Sequence, residues 1–202
     1  IDDADRLAEV RRRYELPERF VLTLSKPGGG SRKNAGTLLE AFRRLAPRAG
    51  HDLVVGGRGC EQFRDEYAIP DEGWGTRVRF PGWIDQADLP AVYSQADVFL
   101  YPSNLEAFPI PLTEAMACGT PIVTSDANGL LEIAGEAALR VDPADPAAIA
   151  AAVERVLSDA DLAARLSARG LERSRLFSWE RCARQTLGVL TAVARGGARR
   201  AR

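Results

Sequence analysis

The chain has 202 residues, 46% of them hydrophobic and 27% charged, which is the composition of a globular domain with a core. Its net charge of −1 gives no reason to expect nucleic acid as a partner. No run of about 18 apolar residues is present, so the sequence predicts no transmembrane helix.

Apolar runs of strand length alternate along the chain with amphipathic stretches of helical length. In chain order we predict helix 4–15, strand 20–24, helix 34–46, strand 53–55, helix 61–68, strand 78–80, helix 88–95, strand 98–101, helix 111–118, strand 122–124, helix 130–134, strand 138–141, and helices 146–157, 159–174 and 178–194. Asn34 and Asp145 are the predicted N-caps of two of these helices. Because the strands are continuously apolar, they indicate a parallel sheet covered by helices on both faces.

This alternation predicts the α/β fold class, with a doubly wound parallel sheet of the Rossmann-like type. We expect a single domain over residues 1–202, with 178–202 as a closing helix and a basic tail. In such folds the loops that follow the strands carry the ligand sites, so these loops are the first candidates for function.

A glycine-rich loop from Ser25 to Asn34 follows the first strand and opens a helix. Glycines let backbone amides approach a ligand, a helix N-terminus favours an anion, and Arg32 and Lys33 add positive charge. Lys26 and Lys33 are the only lysines of the chain. The loop is not a P-loop, and Lys33 holds the third position of a Gly-x-Gly-x-x-Gly pattern. Its residues fit either a phosphate site or an ordinary exposed turn.

The segment after the fourth strand opens another helix. Pro111 fits the first helical position, which makes Ile110 the predicted N-cap. An isoleucine side chain cannot accept the amides of Leu112 and Thr113, so we expect these amides to be free for water or a ligand anion.

Two carboxylates flank this helix start. Glu114 lies about one turn inside the predicted helix and Glu106 lies upstream on the loop. An ionised carboxylate can accept two hydroxyl hydrogen bonds, so the pair is suited to hold the two ends of a sugar-nucleotide. The alternative for Glu114 is simple stabilisation of the helix dipole, worth about 0.3–1 kcal/mol.

Gly82 and Trp83 follow the third strand and are candidates for one wall of a base pocket, with a core or rim aromatic as the equal alternative. His51, the only histidine, precedes a strand and is interpreted as a surface or turn residue. The residue types present form no Ser-His-Asp set and no zinc cluster, so we expect no metal.

These motifs resemble those of retaining glycosyltransferases of the GT-B fold, group 1 or family 4 type. Glu106 and Glu114 have that family's spacing, with seven residues between them. Residues 114–123 are close to its pattern, as are residues 32–34, 78–82 and 131–135 leading into 141–143. The resemblance covers about residues 18–185, and the 106–123 stretch is its most specific part.

The resemblance implies the C-terminal half of a GT-B enzyme, which binds a UDP- or GDP-linked sugar for transfer to an acceptor hydroxyl without a metal or cofactor. It implies that Lys33 binds the diphosphate, with Arg32 nearby and Lys26 as a candidate for the usual preceding Arg. It implies that Glu106 contacts the sugar and Glu114 the ribose. The amides of Phe108, Ile110, Leu112 and Thr113 would bind sugar and phosphate, and the base would lie near Gly82 and Trp83.

Pro109 departs from the family pattern, because a glycine usually stands there and proline has no N–H to donate to the sugar. Ala107 replaces another common glycine. The acceptor site and a histidine that positions the donor sugar belong to the N-terminal domain in that family, so we expect these residues alone to bind donor with little turnover.

Two alternatives remain, a non-catalytic Rossmann-like binding module and a GT-B-type sugar-nucleotide epimerase. Pro109 favours the first, and the second lacks visible acid and base residues. A dehydrogenase is excluded by Gly56-Gly57-Arg58 at the end of the second strand, where an acidic residue would bind the cofactor ribose.

Location is predicted from the cysteines and from the two ends of the sequence. The acidic start Ile1 to Asp5 is unlike a signal peptide, and three widely spaced cysteines fit no disulfide framework. We expect a cytoplasmic protein with reduced thiols. The basic tail after Val193 leaves contact with the cytoplasmic membrane face open.

Overall fold

The computed structural model describes residues 3–27, 32–127 and 129–200, with side chains as far as Arg195. Within these residues six strands form one parallel sheet: β1 Phe20–Leu24, β2 Asp52–Gly56, β3 Val78–Arg79, β4 Val98–Tyr101, β5 Ile122–Ser125 and β6 Ala138–Val141. Their order is β3-β2-β1-β4-β5-β6, and every neighbouring pair is parallel. The predicted doubly wound Rossmann-like sheet is confirmed.

All the helices of the described residues except the last cover the two faces of this sheet. They are α1 Ala4–Arg13, α2 Ala35–Leu45, α3 Phe63–Glu66, α4 Leu89–Gln95, α5 Ile110–Ala117, α6 Leu130–Ala134, α7 Pro146–Ser158, α8 Ala160–Ser174 and α9 Trp179–Arg200, with short 3-10 helices at Cys60–Gln62, Gly73–Arg77 and Gly135–Ala137. The last helix therefore runs further toward the C-terminus than predicted. None of these helices is long and apolar enough to cross a bilayer.

The continuous apolar strands are explained by burial on both faces. In β1, Val21 faces a core with α2 and α7, while Phe20 and Leu22 face a second core with α1, α4, α5 and α6. Successive strand side chains point to opposite faces, so a sheet covered on both sides buries every position. The edge strand β3 is shorter than predicted and ends before Phe80.

The helices α7 and α8 both begin at an aspartate whose side chain caps the helix. Asp145 accepts hydrogen bonds from the amides of Ala147 at 2.8 Å and Ala148 at 3.0 Å, which confirms it as the cap of α7. Asp159 caps α8 in the same way, accepting from the amide of Leu162 at 2.8 Å. A carboxylate at this position satisfies amides that the helix itself leaves unpaired.

The interpretation of His51 as a surface residue is wrong. Its side chain is buried, with 4% exposure, at the end of the sheet where β2 begins. The Nε2 atom lies 3.6 Å from the Asp97 carboxylate, and Nδ1 has no hydrogen-bond partner among the described residues. Burial lowers the pKa of the imidazole, because the charged form loses hydration, although Asp97 opposes this effect.

We predict that this histidine makes folding stability depend on pH near neutrality. A histidine whose pKa is lower in the folded state favours unfolding when it gains a proton. The contribution of His51 to the free energy of unfolding should therefore be fully present above the unfolded pKa of about 6.5. The free energy of unfolding should decrease as the pH falls below that value. Because His51 is the only histidine, denaturant unfolding between about pH 7 and pH 5 isolates its effect.

His51→Gln is the matched control, since it cannot titrate in this range. Its free energy of unfolding should vary less with pH than that of the wild type, whatever its absolute stability. Equal pH dependence in both proteins would contradict the assignment.

Candidate active site at the carboxyl edge of the sheet

The loops after β1, β2 and β3 meet through backbone hydrogen bonds. The Ser25 amide donates to the Gly56 carbonyl at 2.9 Å, and the Gly57 amide donates to the Gly82 carbonyl at 3.0 Å. Gly57 has φ +142°, and a Cβ there would lie 2.0 Å from the Ser25 carbonyl oxygen. Only glycine permits this approach, so the three loops form one continuous edge.

The loops after β1 and β4 are joined in the same way. The Asn104 amide donates to the Arg32 carbonyl at 2.8 Å. Asn34 occupies the predicted N-cap position of α2, with left-handed backbone angles of φ 55° and ψ 36°, but its side chain makes no capping hydrogen bond. Its amide nitrogen instead donates to the carbonyls of Pro102 at 3.0 Å and Pro143 at 2.6 Å. The residue therefore ties three loops together.

A cluster of charged side chains lies at this junction and consists of Arg32, Lys33, Tyr101 and Glu106. Lys33 Nζ donates to Glu106 Oε1 at 2.7 Å, and Arg32 Nη1 donates to Glu106 Oε2 at 2.9 Å. The Tyr101 hydroxyl donates to Oε1 at 3.0 Å. Lys33 Nζ also contacts that hydroxyl and lies 4.5 Å from the Tyr101 ring centroid. We call these four residues the charged cluster.

Burial and charge act in opposite directions on the pKa values of this cluster. Burial alone would raise the pKa of Glu106, but the bonds from Lys33 and Tyr101 and the charge of Arg32 hold it below its usual value. Burial lowers the pKa of Lys33 against the attraction of Glu106. Burial, together with the neighbouring carboxylate, raises the pKa of Tyr101, so this hydroxyl remains a donor.

The helix after the Glu106 loop begins one residue earlier than predicted. Pro109 occupies the N-cap position and Ile110 is the first helical residue, so the prediction of Ile110 as the cap is wrong. The amides of Leu112 and Thr113 donate to the Pro109 carbonyl at 3.0 and 3.4 Å. They are not free, as the sequence had suggested, because the extra residue supplies a carbonyl within their reach.

An open cleft of about 900 Å³ lies between α5 and the start of α9. Its lining includes Phe108, Ile110, Thr113, Glu114, Trp179 and Gln185. Glu114 Oε2 accepts a hydrogen bond from the Tyr93 hydroxyl at 3.1 Å. Leu112 is fully buried in the core and contributes no side chain to the cleft. The structure thus gathers four of the sequence-predicted site residues on one surface.

The remaining predicted residues lie along the same edge. Trp83 is 58% exposed, which makes the core alternative wrong, and the Arg58 guanidinium lies 5.3 Å from its ring centroid. Gly82 precedes it with φ +78°. Lys26 is exposed, and its charge contributes to lowering the pKa of Lys33. Gly28 to Ser31 lie outside the described residues.

Sequence reasoning missed Tyr101, Gly129 and the bridging role of Asn34. A tyrosine at the carboxyl end of a buried strand was a usable signal, because its hydroxyl needs a partner at that edge. Gly129 has φ +82°, and a Cβ there would lie 2.0 Å from the Glu106 carbonyl oxygen. Within the described residues, no three His, Cys, Asp or Glu side chains are grouped so as to hold a metal ion.

Comparison with known proteins gives matches over most of the chain. The model of the family described as glycosyl transferases group 1 matches residues 8–173. The O-antigen chain mannosyltransferase B of Escherichia coli is 38% identical over 164 residues, which cover 78% of this chain and 42% of that protein.

Solved structures agree with this match. The sucrose-phosphate synthase of Thermosynechococcus elongatus superposes with a TM-score of 0.79 at 33% identity, over 94% of this chain and 49% of that one. The Anabaena protein HepE, solved with UDP and glucose, shares the fold with a TM-score of 0.77 at 18% identity, over 94% of this chain and 53% of its own. The chain therefore spans about half the length of these proteins or less.

We predict that Gly129→Ala displaces the loop that carries Glu106. The new methyl group would overlap the Glu106 carbonyl, and the backbone angle is unfavourable for alanine. The expected loss in free energy of unfolding is roughly 3 kcal/mol or more, measured by denaturant titration.

Gly73→Ala is the matched control, because Gly73 also has a positive φ, +59°, but a Cβ there meets nothing within 4 Å. It should cost only the backbone strain of about 1–2 kcal/mol. Equal losses for the two variants would mean that contact with the Glu106 loop is unimportant.

Proposed function

Because the chain belongs to the glycosyl transferases group 1 family, we propose that it binds a nucleotide-diphosphate sugar for a retaining transfer to an acceptor hydroxyl. The observation that carries this proposal is the charged cluster, in which Arg32 and Lys33 meet Glu106 at the carboxyl edge of the sheet. Ligands of doubly wound folds bind at this edge, where the strand order reverses between β1 and β4.

Lys33 and Arg32 are assigned to the diphosphate. In the transfer, the bond between the sugar and the diphosphate breaks, and negative charge develops on the departing diphosphate oxygen. Fixed cations in a partly buried site stabilise that charge more than water does. Lys33 meets this requirement, because its side chain is only 17% exposed, and Lys26 lies close enough to add to the field.

Glu106 is assigned to the donor sugar and Glu114 to the ribose hydroxyls. Glu114 has one oxygen bonded to Tyr93 and lies in the lining of the cleft, so its other oxygen is available to accept. Phe108, Ile110 and Thr113 form the wall of the cleft, and Leu112 supports them from the core. The exposed Trp83 beside Gly82 is assigned to the base. The UDP and glucose bound by HepE, which shares the fold, support this class of ligand.

We propose that the acceptor site lies in an N-terminal domain of a longer protein, since the chain spans about half the length of its relatives. The apolar side chains Trp179, Leu187, Leu190 and Val193 of α9 are exposed, which fits coverage by further protein. On this basis residues 1–202 bind donor as one domain but transfer sugar slowly or not at all. The unpaired Cys60, Cys118 and Cys182 support a cytoplasmic location.

One observation favours a second candidate, a non-catalytic binding module. Pro109 offers no N–H to a sugar, and its carbonyl is used by the amides of Leu112 and Thr113. The backbone at this position therefore contributes no donor to a sugar. Loss of transfer in the longer protein, with nucleotide binding retained, would identify this candidate.

We predict that calorimetric titration with UDP, GDP and ADP gives saturable binding of one nucleotide. Lys33→Met retains the apolar stem over the Tyr101 ring and removes the charge, and Glu114→Gln retains an acceptor for the Tyr93 hydroxyl. Each should weaken binding by about tenfold or more, the loss expected for one charge-assisted hydrogen bond.

Glu154→Gln is the control, because Glu154 pairs with Arg48 at 3.1 Å on the exposed surface between α2 and α7. It alters the net charge as Glu114→Gln does and should leave the affinity unchanged. A wild-type chain that binds none of the three nucleotides and neither UDP-glucose nor GDP-mannose, or variants that bind as the wild type does, would contradict the proposed function.

A further inference from the structure

The hydrogen-bonding capacity of Glu106 is largely used in this structure. Its side chain is 8% exposed, and three donors approach the carboxylate: Lys33 and Tyr101 at Oε1, and Arg32 at Oε2. A carboxylate offers about four acceptor positions, so one remains, on Oε2. Two hydroxyls of a sugar could not both be accepted unless a present donor leaves.

The two cations are occupied in the same arrangement. Each gives its ion pair to the same carboxylate, at 2.7 Å for Lys33 and 2.9 Å for Arg32. A diphosphate that approaches these cations meets the negative charge of Glu106 at the distance of a direct hydrogen bond. Like charges at such a distance repel strongly in a partly buried site.

We propose that Glu106 competes with the diphosphate for Arg32 and Lys33, so that a nucleotide binds tightly only when its sugar gives the carboxylate new partners. This inference rests on the proposed function. In the exchange, the diphosphate oxygens accept from Arg32 and Lys33, and the freed carboxylate oxygens accept from sugar hydroxyls. Every donor and acceptor is then satisfied again, which the diphosphate alone cannot achieve.

Tyr101 holds the Glu106 carboxylate in place during this exchange of partners. Its hydroxyl bonds Oε1, its ring is buried at the end of β4, and it lies in the sheet and not in a loop. The carboxylate can therefore change its cationic partners while one hydrogen bond holds it in place. After transfer, the nucleoside diphosphate carries no sugar, Glu106 pairs with the cations again, and release of the product is favoured.

The test compares ligands with and without a sugar on the wild-type chain and on Glu106→Gln. The probes are UDP, GDP and inorganic pyrophosphate on one side, and UDP-glucose and GDP-mannose on the other. Glutamine keeps the shape and an acceptor for Tyr101 but removes the charge. We expect affinity for UDP or GDP to rise about tenfold in the variant, as a competing charge is lost. Affinity for the sugar-bearing form should fall or stay unchanged.

Glu40→Gln is the matched control, because Glu40 also joins two arginines, Arg43 at 2.6 Å and Arg44 at 2.9 Å, on the outer surface of α2. It makes the same change in net charge away from the cluster and should leave all affinities unchanged. An equal rise in both variants would overturn the inference, since it would show a general effect of charge.

The outcomes separate this inference from the proposed function. If the wild type binds a nucleotide and Glu106→Gln binds the nucleoside diphosphate equally or less tightly, the competition is overturned and the proposed function stands. If neither protein binds any probe, both are overturned. A wild-type chain that binds UDP or GDP more tightly than the sugar-bearing form also overturns the competition, and this comparison needs no variant.

Discussion

The pairing of β1 with β4 is the constraint on which the candidate site depends. Val21 lies opposite Val98 and Leu22 opposite Phe99, which makes two strands far apart in sequence neighbours at the centre of the sheet. Their loops therefore emerge side by side at the carboxyl edge. Lys33 and Glu106, 73 positions apart in the chain, form an ion pair for this reason. The buried apolar side chains of the two strands stabilise their pairing, so the geometry of the site depends on core packing.

Hydrogen bonds to backbone carbonyls and close backbone contacts then hold these loops against one another. Asn34 joins the loops after β1, β4 and β6, and the hydroxyl of Ser125, the last residue of β5, donates to the Ser103 carbonyl in the loop after β4. Gly129 lets the chain pass against the Glu106 carbonyl. These residues touch no proposed ligand group, yet they hold the backbone from which the charged side chains project. Polar contacts of this kind give a site its precision, because a loop without them has many alternative conformations.

The fold could be predicted because its signals are local. Strands that are mostly apolar and do not alternate with polar residues, and helices with acidic caps, are visible in the sequence, and a parallel sheet follows from their alternation. The predictions that failed depended on tertiary contacts. Asn34 stands at the N-cap position of α2 as predicted, but its side chain does not cap the helix, because it donates to the carbonyls of Pro102 and Pro143, which are distant in sequence. His51 was interpreted as exposed because nothing near it in the sequence reveals that the sheet end covers it.

The site was predicted in its parts and not in its arrangement. The sequence indicated Lys33 and Glu106 separately, each with a role toward a different end of a ligand. It did not indicate that the carboxylate is the partner of the cations. Their pairing depends on β1 and β4 being neighbours in the sheet, which is a tertiary arrangement. Tyr101 was treated as one more apolar strand residue, although its hydroxyl completes the cluster.

The charged cluster also answers a physical problem that any partly buried cation site has. A lysine shielded from water stabilises a diphosphate strongly, but the same shielding makes an unpaired lysine costly before the ligand arrives. An internal carboxylate removes this cost, at the expense of opposing every anion that enters. This repulsion between the carboxylate and an anionic ligand is offset only if the ligand binds the carboxylate as well as the cations. A compound with a diphosphate at one end and hydroxyls at the other satisfies both, so under the proposed function the pairing that stabilises the free protein also selects the ligand.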